Sequence, residues 1–260
     1  MSRSAVTAVV TGHTQGLGAA LAAGLMERNI AVLGVARGTA PALAERFGPL
    51  LRECQVNLSD SQALGAWLAT SALREHIGAS TLVLLMNNAG TVDPVGALHD
   101  QDPLLVARAV ALNVAAPLML AAAVVAAAPQ AERRIVHVSS GAARNAYTGW
   151  SVYGATKAAL DHHARSVALD YPIGPDACDA VAGVRICSLA PGVIDTAMQA
   201  QIRATPESLF PQRERFTALQ QDGALTSPAQ CAAGIIDYVL DQHFGRVPVD
   251  DLRTSGRQGG

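Results

Sequence analysis

Of the 19 lysine and arginine side chains in the sequence, a single one, Lys157, is lysine. Everywhere else a cation is supplied by arginine. Position 157 therefore asks for what arginine cannot give: a compact ammonium whose pKa responds to its surroundings. Four residues earlier stands Tyr153, in Tyr153-Gly154-Ala155-Thr156-Lys157. On a helix that spacing puts both side chains on one face, about 5–6 Å apart at Cβ. A free phenol, with a pKa of about 10, exchanges protons poorly at neutral pH. A cation roughly 5 Å away, at an effective dielectric of ~20, contributes about 3 kcal/mol, or some two pKa units, towards the phenolate. The pair fits a proton donor, Tyr153, tuned by Lys157. Ser140, thirteen residues before Tyr153 at the end of the apolar run Arg134–Val138, offers a hydroxyl to hold a substrate oxygen. Taken singly, each has a plainer explanation, as a strand-capping serine or a half-buried helix tyrosine. Their combination behind a nucleotide-binding turn points to catalysis.

That turn is Thr11-Gly12-His13-Thr14-Gln15-Gly16-Leu17-Gly18, between the first apolar run and a helical pattern. Glycines there let a pyrophosphate approach the amides at the start of the helix. The end of the second strand selects the dinucleotide: an acidic residue bonds the ribose 2′-hydroxyl of NAD, whereas an arginine accommodates the 2′-phosphate of NADP. Here the sequence is Gly34-Val35-Ala36-Arg37, with no carboxylate before Glu45. NADP(H) is the expected cofactor and Arg37 its phosphate clamp; the alternative for Arg37 is a solvated surface charge.

The elements that must position these residues alternate along the chain. Apolar β-rich runs at Ala5–Val10, Ile30–Val35, Leu51–Val56, Thr81–Met86, Arg134–Val138 and Val184–Leu189 predict strands covered on both faces. Helical patterns at Leu17–Arg28, Pro41–Phe47, Ser61–His76, Pro103–Ala128, Val152–Leu169 and Ala229–Leu240 lie between or after them. The expected fold class is α/β, a doubly wound parallel sheet of Rossmann type, in a single domain over residues 1–253. Tyr171–Gly183 is expected as a loop, residues 195–225 as a substrate lid and 254–260 as a frayed tail. Half of the residues are hydrophobic, 15% are charged and the net charge is −2, which excludes a disordered chain and offers no basic face for nucleic acid. Cys54, Cys178, Cys187 and Cys231 lie far apart without zinc spacing, so free thiols, a reducing cytoplasm and no metal site are expected. The longest apolar run, Pro117–Ala128, falls short of the ~20 residues of a membrane span.

Together these residues resemble the short-chain dehydrogenase/reductase family over almost the whole chain. The family's glycine turn matches Thr11, Gly12, Gly16 and Gly18. Its NNAG stretch matches Asn87-Asn88-Ala89-Gly90, its helix asparagine Asn113, and its Ser…YxxxK set Ser140, Tyr153 and Lys157. The resemblance implies that Asn113 holds a water linking Lys157 to solvent. It also implies that Pro191-Gly192-Val193 and Thr196 cover the nicotinamide. Asn57, before Leu58, replaces the usual adenine-binding aspartate, with its amide oxygen still able to accept the bond; Gln15 replaces a basic residue common in NADP enzymes. Gly149-Trp150, Asp195-Thr196-Ala197-Met198-Gln199 and Val249-Asp250 are similar to the sepiapterin reductase and benzil reductase-like members. In that comparison Asp250 would anchor a ligand, its alternative being an exposed charge. Tyr147, Trp150, Met198 and Phe210 would wall an apolar pocket. The implied activity is NADPH-dependent reduction of a small ketone or diketone by a homodimer or homotetramer. Two alternatives stay open: a dehydrogenase of a sugar, steroid or 3-oxoacyl substrate, and a non-catalytic NADP-binding sensor.

Overall fold

The computed structural model describes residues 6–173 and 183–255. The chain opens with β1 (Val6–Thr11), α1 (Gly16–Glu27), β2 (Ala31–Ala36), α2 (Pro41–Phe47) and β3 (Leu51–Gln55). After β3 come α3 (Ser61–Leu68), α4 (Ala72–Ile77) and β4 (Leu82–Asn87). Next are α5 (Pro103–Val110), a π-helical turn (Ala111–Ala115), α6 (Ala116–Ala127), β5 (Glu132–Val138), α7 (Ser151–Asp170) and β6 (Val184–Ala190). The last elements are α8 (Ala197–Ala204), α9 (Arg213–Gln221), α10 (Pro228–Leu240) and β7 (Val249–Asp251). The strands form one parallel sheet in the order β3-β2-β1-β4-β5-β6-β7. Strand order reverses between β1 and β4, so their carboxyl ends open the crevice in which such sheets bind ligands.

The predicted six strands are all present, and the reason is burial on both faces. Val9, Leu33, Leu85 and Ile135 point into the layer under α6, whereas Ala8, Val10, Leu84 and Val136 point into the layer under α1 and α10. Close packing of those two helices needs Gly24: a Cβ there would meet Ile236 Cδ1 at 2.8 Å. Sharp starts come from caps. Asp60 accepts the amides of Gln62 and Ala63 at 3.0 Å to begin α3, and Ser227 with Gln230 closes a capping box on α10.

Three sequence expectations are revised. The helix predicted over Ser61–His76 is two helices, because Thr70 Oγ1 donates to Trp67 O at 2.7 Å and interrupts the ladder. The edge strand β7 went unpredicted; three residues beside Pro248 give too little pattern. The helix expected over Pro103–Ala128 runs unbroken for 25 residues, 103–127, with an 18-residue window of mean hydropathy 2.2, so it is as long and apolar as a membrane span although the apolar run Pro117–Ala128 is not. Here α6 packs on β4 and β5, and Leu120 and Val124 are fully buried in the sheet layer. Cys178, with most of the predicted loop, and residues 256–260 of the tail lie outside the described residues; Thr254 and Ser255 are held by hydrogen bonds to Asp251 O and Leu252 O.

The first turn of α1 approaches the β1 end so closely that a Cβ on Gly18 would sit 2.0 Å from Gly12 O. A Cβ on Gly38, by contrast, meets nothing within 4 Å. Gly18→Ala is expected to lower the thermal midpoint, with a loss of about 1–3 kcal/mol; Gly38→Ala should leave it unchanged, and differential scanning calorimetry compares the two.

Candidate active site

At the β1–β4 switch lies a cleft of about 970 Å³. One half is built for a dinucleotide. Thr11 Oγ1 accepts the amides of Asn88 and Ala89 at 2.9 and 3.0 Å, and Asn88 Nδ2 donates back to Thr11 O at 2.9 Å. These bonds clamp the NNAG stretch to the glycine turn, in which Gly12 and Gly16 take φ of 68° and 55°. Helix α1 has no side-chain cap, so its first amides are left for a ligand at the cleft, lined there by Thr14, Gln15, Gly16, Leu17 and Gly18. Arg37 lines the same end, exposed and without a hydrogen bond or ion pair among the described residues. Leu58 and Asn57 complete that end, but Asn57 Oδ1 already accepts Ser59 N and Ser59 Oγ at 3.2 and 2.8 Å. An adenine amine would share that oxygen with Ser59 or displace the serine from it.

The other half holds the residues expected to move the proton. Tyr153 and Lys157 lie on one face of α7, with Nζ 5.8 Å from the centre of the phenol ring. Lys157 is 5% exposed and donates to Val138 O at 2.8 Å, which ties the helix to the end of β5. Ser140 follows that strand end, takes the amide of Ala142 at 3.2 Å and hydrogen-bonds Tyr153. Gly90 leaves the space between: a Cβ there would lie 3.2 Å from Asn113 Oδ1 and 3.5 Å from Lys157 Nζ.

Electrostatics here differ from the sequence expectation. Burial raises the Tyr153 phenol above its ordinary value, and the bond to Ser140 opposes this without reversing it. Lys157 is itself lowered to about 8, mainly by burial, with Asp161 pulling the other way. In the protein alone, then, desolvation dominates both groups and the ammonium does not bring the phenol down. Asn113, expected to hold a water, is bonded directly to its neighbours through its side-chain amide. Its side chain accepts Thr91 N at 2.9 Å and donates to Thr91 O and Thr156 Oγ1 at 2.8 and 3.1 Å. It pins the loop after β4 to α7 from within the π-helical turn.

Tyr147, Trp150 and Met198 line the cleft as expected, with Pro191, Gly192, Val193 and Thr196 along its other wall. Phe210 does not line it. It is fully buried behind Trp150, stacked at 4.6 Å. The aromatic that reaches the cleft is Phe216, beside Leu219 on α9; their i, i+3 spacing was the signal available in the sequence. Asp250 is absent from the lining: its carboxylate accepts Tyr238 Oη and the Asp251 amide at 2.8 and 2.7 Å. Arg253 occupies the cleft mouth instead, near Gly192 and paired with Asp251 at 2.6 Å, a position hidden because β7 was not foreseen. The segment 195–225 is anchored by Gln201, which donates to the Asp93 carboxylate at 2.8 Å, and by the ring cluster Trp150, Phe210 and Phe216.

Comparison with known proteins agrees with this geometry. The family model of the short chain dehydrogenases matches residues 6–207. A benzil reductase ((S)-benzoin forming) of Bacillus cereus is 32% identical, the alignment covering 91% of this chain and 94% of the relative. A sepiapterin reductase of Meriones unguiculatus is 31% identical over 91% of this chain and 92% of the relative. The crystal structure of a short-chain dehydrogenase/reductase from Burkholderia vietnamiensis is 51% identical with a TM-score of 0.68, covering 96% of this chain and 98% of its own. A dinucleotide-shaped cleft, a Ser140/Tyr153/Lys157 cluster and a match over most of the sequence meet in one statement: the chain belongs to the short-chain dehydrogenase/reductase family of oxidoreductases, which work with a nicotinamide cofactor.

Proposed function

We propose that this enzyme reduces a compact ketone or diketone with NADPH, with Tyr153 as the proton donor. The carrying observation is the buried pair Tyr153 and Lys157 beside the half-buried Ser140, which hydrogen-bonds the phenol, at the floor of the dinucleotide cleft. The uncapped α1 terminus and the glycine cradle fit a pyrophosphate, and the unpaired Arg37 fits a 2′-phosphate. When bound, the nicotinamide supplies the hydride to the carbonyl carbon.

The chain's own residues handle the oxygen. Ser140 Oγ hydrogen-bonds the carbonyl oxygen and orients it, and Tyr153 Oη gives that oxygen its proton as negative charge develops. A phenol raised by burial is fully protonated at neutral pH, the state that a donor in the reductive direction needs. The ammonium of Lys157 stabilises the phenolate left behind. Tyr147, Trp150, Met198 and Phe216 exclude water from a flat apolar substrate, in keeping with the benzil and sepiapterin reductases among the relatives. Segment 195–225 acts as the lid over this wall. Free thiols at Cys54, Cys187 and Cys231 suit a cytoplasmic enzyme. Exposed Leu104 and Val110 on α5, with Leu169 on α7, suit pairing of copies into a dimer or tetramer.

Tyr153→Phe is expected to cut kcat on benzil about 10²–10⁴-fold while NADPH still binds, as followed by its fluorescence; undiminished turnover would refute the donor. Arg37→Asp should lower the NADPH-over-NADH preference in kcat/KM by about ten- to a hundredfold, the worth of a charge-assisted bond. The folded protein holds the Lys157 proton less tightly than the unfolded chain, with a pKa of about 8 against 10.5. Its burial thus costs stability at neutral pH, a cost that fades as pH climbs through that window. Lys157→Met should therefore stop turnover yet raise the thermal midpoint at about pH 7, the advantage over wild type closing by about pH 10.

A further inference from the structure

One turn beyond Lys157, α7 carries a second buried charge that the reaction does not use. Asp161 is 2% exposed. Its Oδ1 accepts Ser139 Oγ at 2.8 Å and Ser188 Oγ at 2.7 Å, and its Oδ2 accepts Arg144 Nε at 3.0 Å. Each donor comes from a different segment: Ser139 from the end of β5, immediately before Ser140, Ser188 from β6, and Arg144 from the turn after Ser140. Arg144 reaches on to Asp250 O at 2.9 Å, at the edge strand β7. A buried carboxylate is costly unless paired and hydrogen-bonded, and this one is both.

We propose that Asp161 is a positioning residue of the active site: its carboxylate keeps Lys157 as an ammonium and, through Ser139, sets the strand end that carries Ser140. The inference rests on the reading of Tyr153 and Lys157 as the proton-transfer pair. The i, i+4 spacing places Asp161 and Lys157 on the same helix face. The titratable and charged groups facing Lys157 are Tyr153 and Asp161 on its own helix, His137 on β5 and, beyond Asp161, Arg144. From the stretch after β4 and the π-helical turn, Gly90 and the neutral Asn113 come closest to Lys157, with Asp93 further along the cleft wall. His137 is buried and lowered to about 3 by that burial, then by His163 and Lys157, so it is neutral. Among the described residues Asp161 is thus the anion that offsets the desolvation of the ammonium at neutral pH, where Tyr153 is a neutral phenol. An amide would keep the acceptor for both hydroxyls but turn its Nδ2 donor towards Arg144 Nε, so the glutamate variant, which restores charge and acceptor together, is the control.

The solitary lysine makes the test direct. Protein grown on lysine labelled with ¹³C at Cε gives one ε-methylene resonance, whose pH titration reports Lys157 alone. Wild type is expected to titrate near 8, Asp161→Asn about one unit lower, and Asp161→Glu, which restores the charge, close to wild type. The alkaline limb of kcat/KM for benzil with NADPH should move with the lysine midpoint. Should Asp161→Asn not fold, Asp161→Ser, which leaves room for water beside both hydroxyls, carries the same expectation. An unchanged midpoint in the neutral variant, or equal shifts in the neutral and glutamate variants, would overturn the proposal. The lysine signal needs no turnover, so activity surviving in Tyr153→Phe would defeat the proton-donor reading while leaving this result readable.

Discussion

A positive charge held out of water is the constraint around which this site is arranged. Lys157 is almost inaccessible, and the surrounding protein answers it with one carbonyl, Val138 O, and one carboxylate a turn away. Desolvating an ammonium is expensive unless it is paired and hydrogen-bonded. The cost is met by secondary structure that had to form in any case. The end of β5 lends a carbonyl with no further strand residue to pair, and α7 supplies both the phenol above and the anion below. The reacting groups are thereby fixed to a strand end and a helix rather than to loops, the placement that gives the tightest geometry.

The sheet performs the complementary task. Parallel strands buried on both faces put all their carboxyl ends on one rim, and the reversal of order between β1 and β4 parts the helices there. Thr11 then joins the first strand's turn to the stretch after the fourth, so the cofactor half and the catalytic half share a rigid seam. Asn113 performs the same service on the opposite side, its amide copying a strand partner for Thr91.

Much of this was legible in the sequence because it is local or periodic. The Tyr153–Lys157 spacing, the glycine turn and the apolar runs each determine geometry over a few residues, and the structure places them as expected. What escaped depended on distance in three dimensions. Nothing in the order of residues shows that Phe210 stands behind Trp150 while Phe216 lines the cleft. Nor does it show that β7 would bring Arg253, not Asp250, to the cleft. The direction of the Tyr153 shift was misjudged for a related reason: a pairwise Coulomb estimate assumes the charges stay solvated, and burial outweighs it.

A protein with a single lysine hidden in its working cleft has an unusual outer surface. No ε-amine stands on the solvent side, so acylating reagents, glycating sugars and amine-directed cross-linkers find no side chain there to attack. The one such nitrogen they could reach lies past the cofactor's place, and its lowered affinity for a proton makes it more nucleophilic near neutrality than an ordinary lysine. On the proposed role of Lys157, any covalent modification of lysine in this molecule would also be an inactivation, and a bound dinucleotide would shield it.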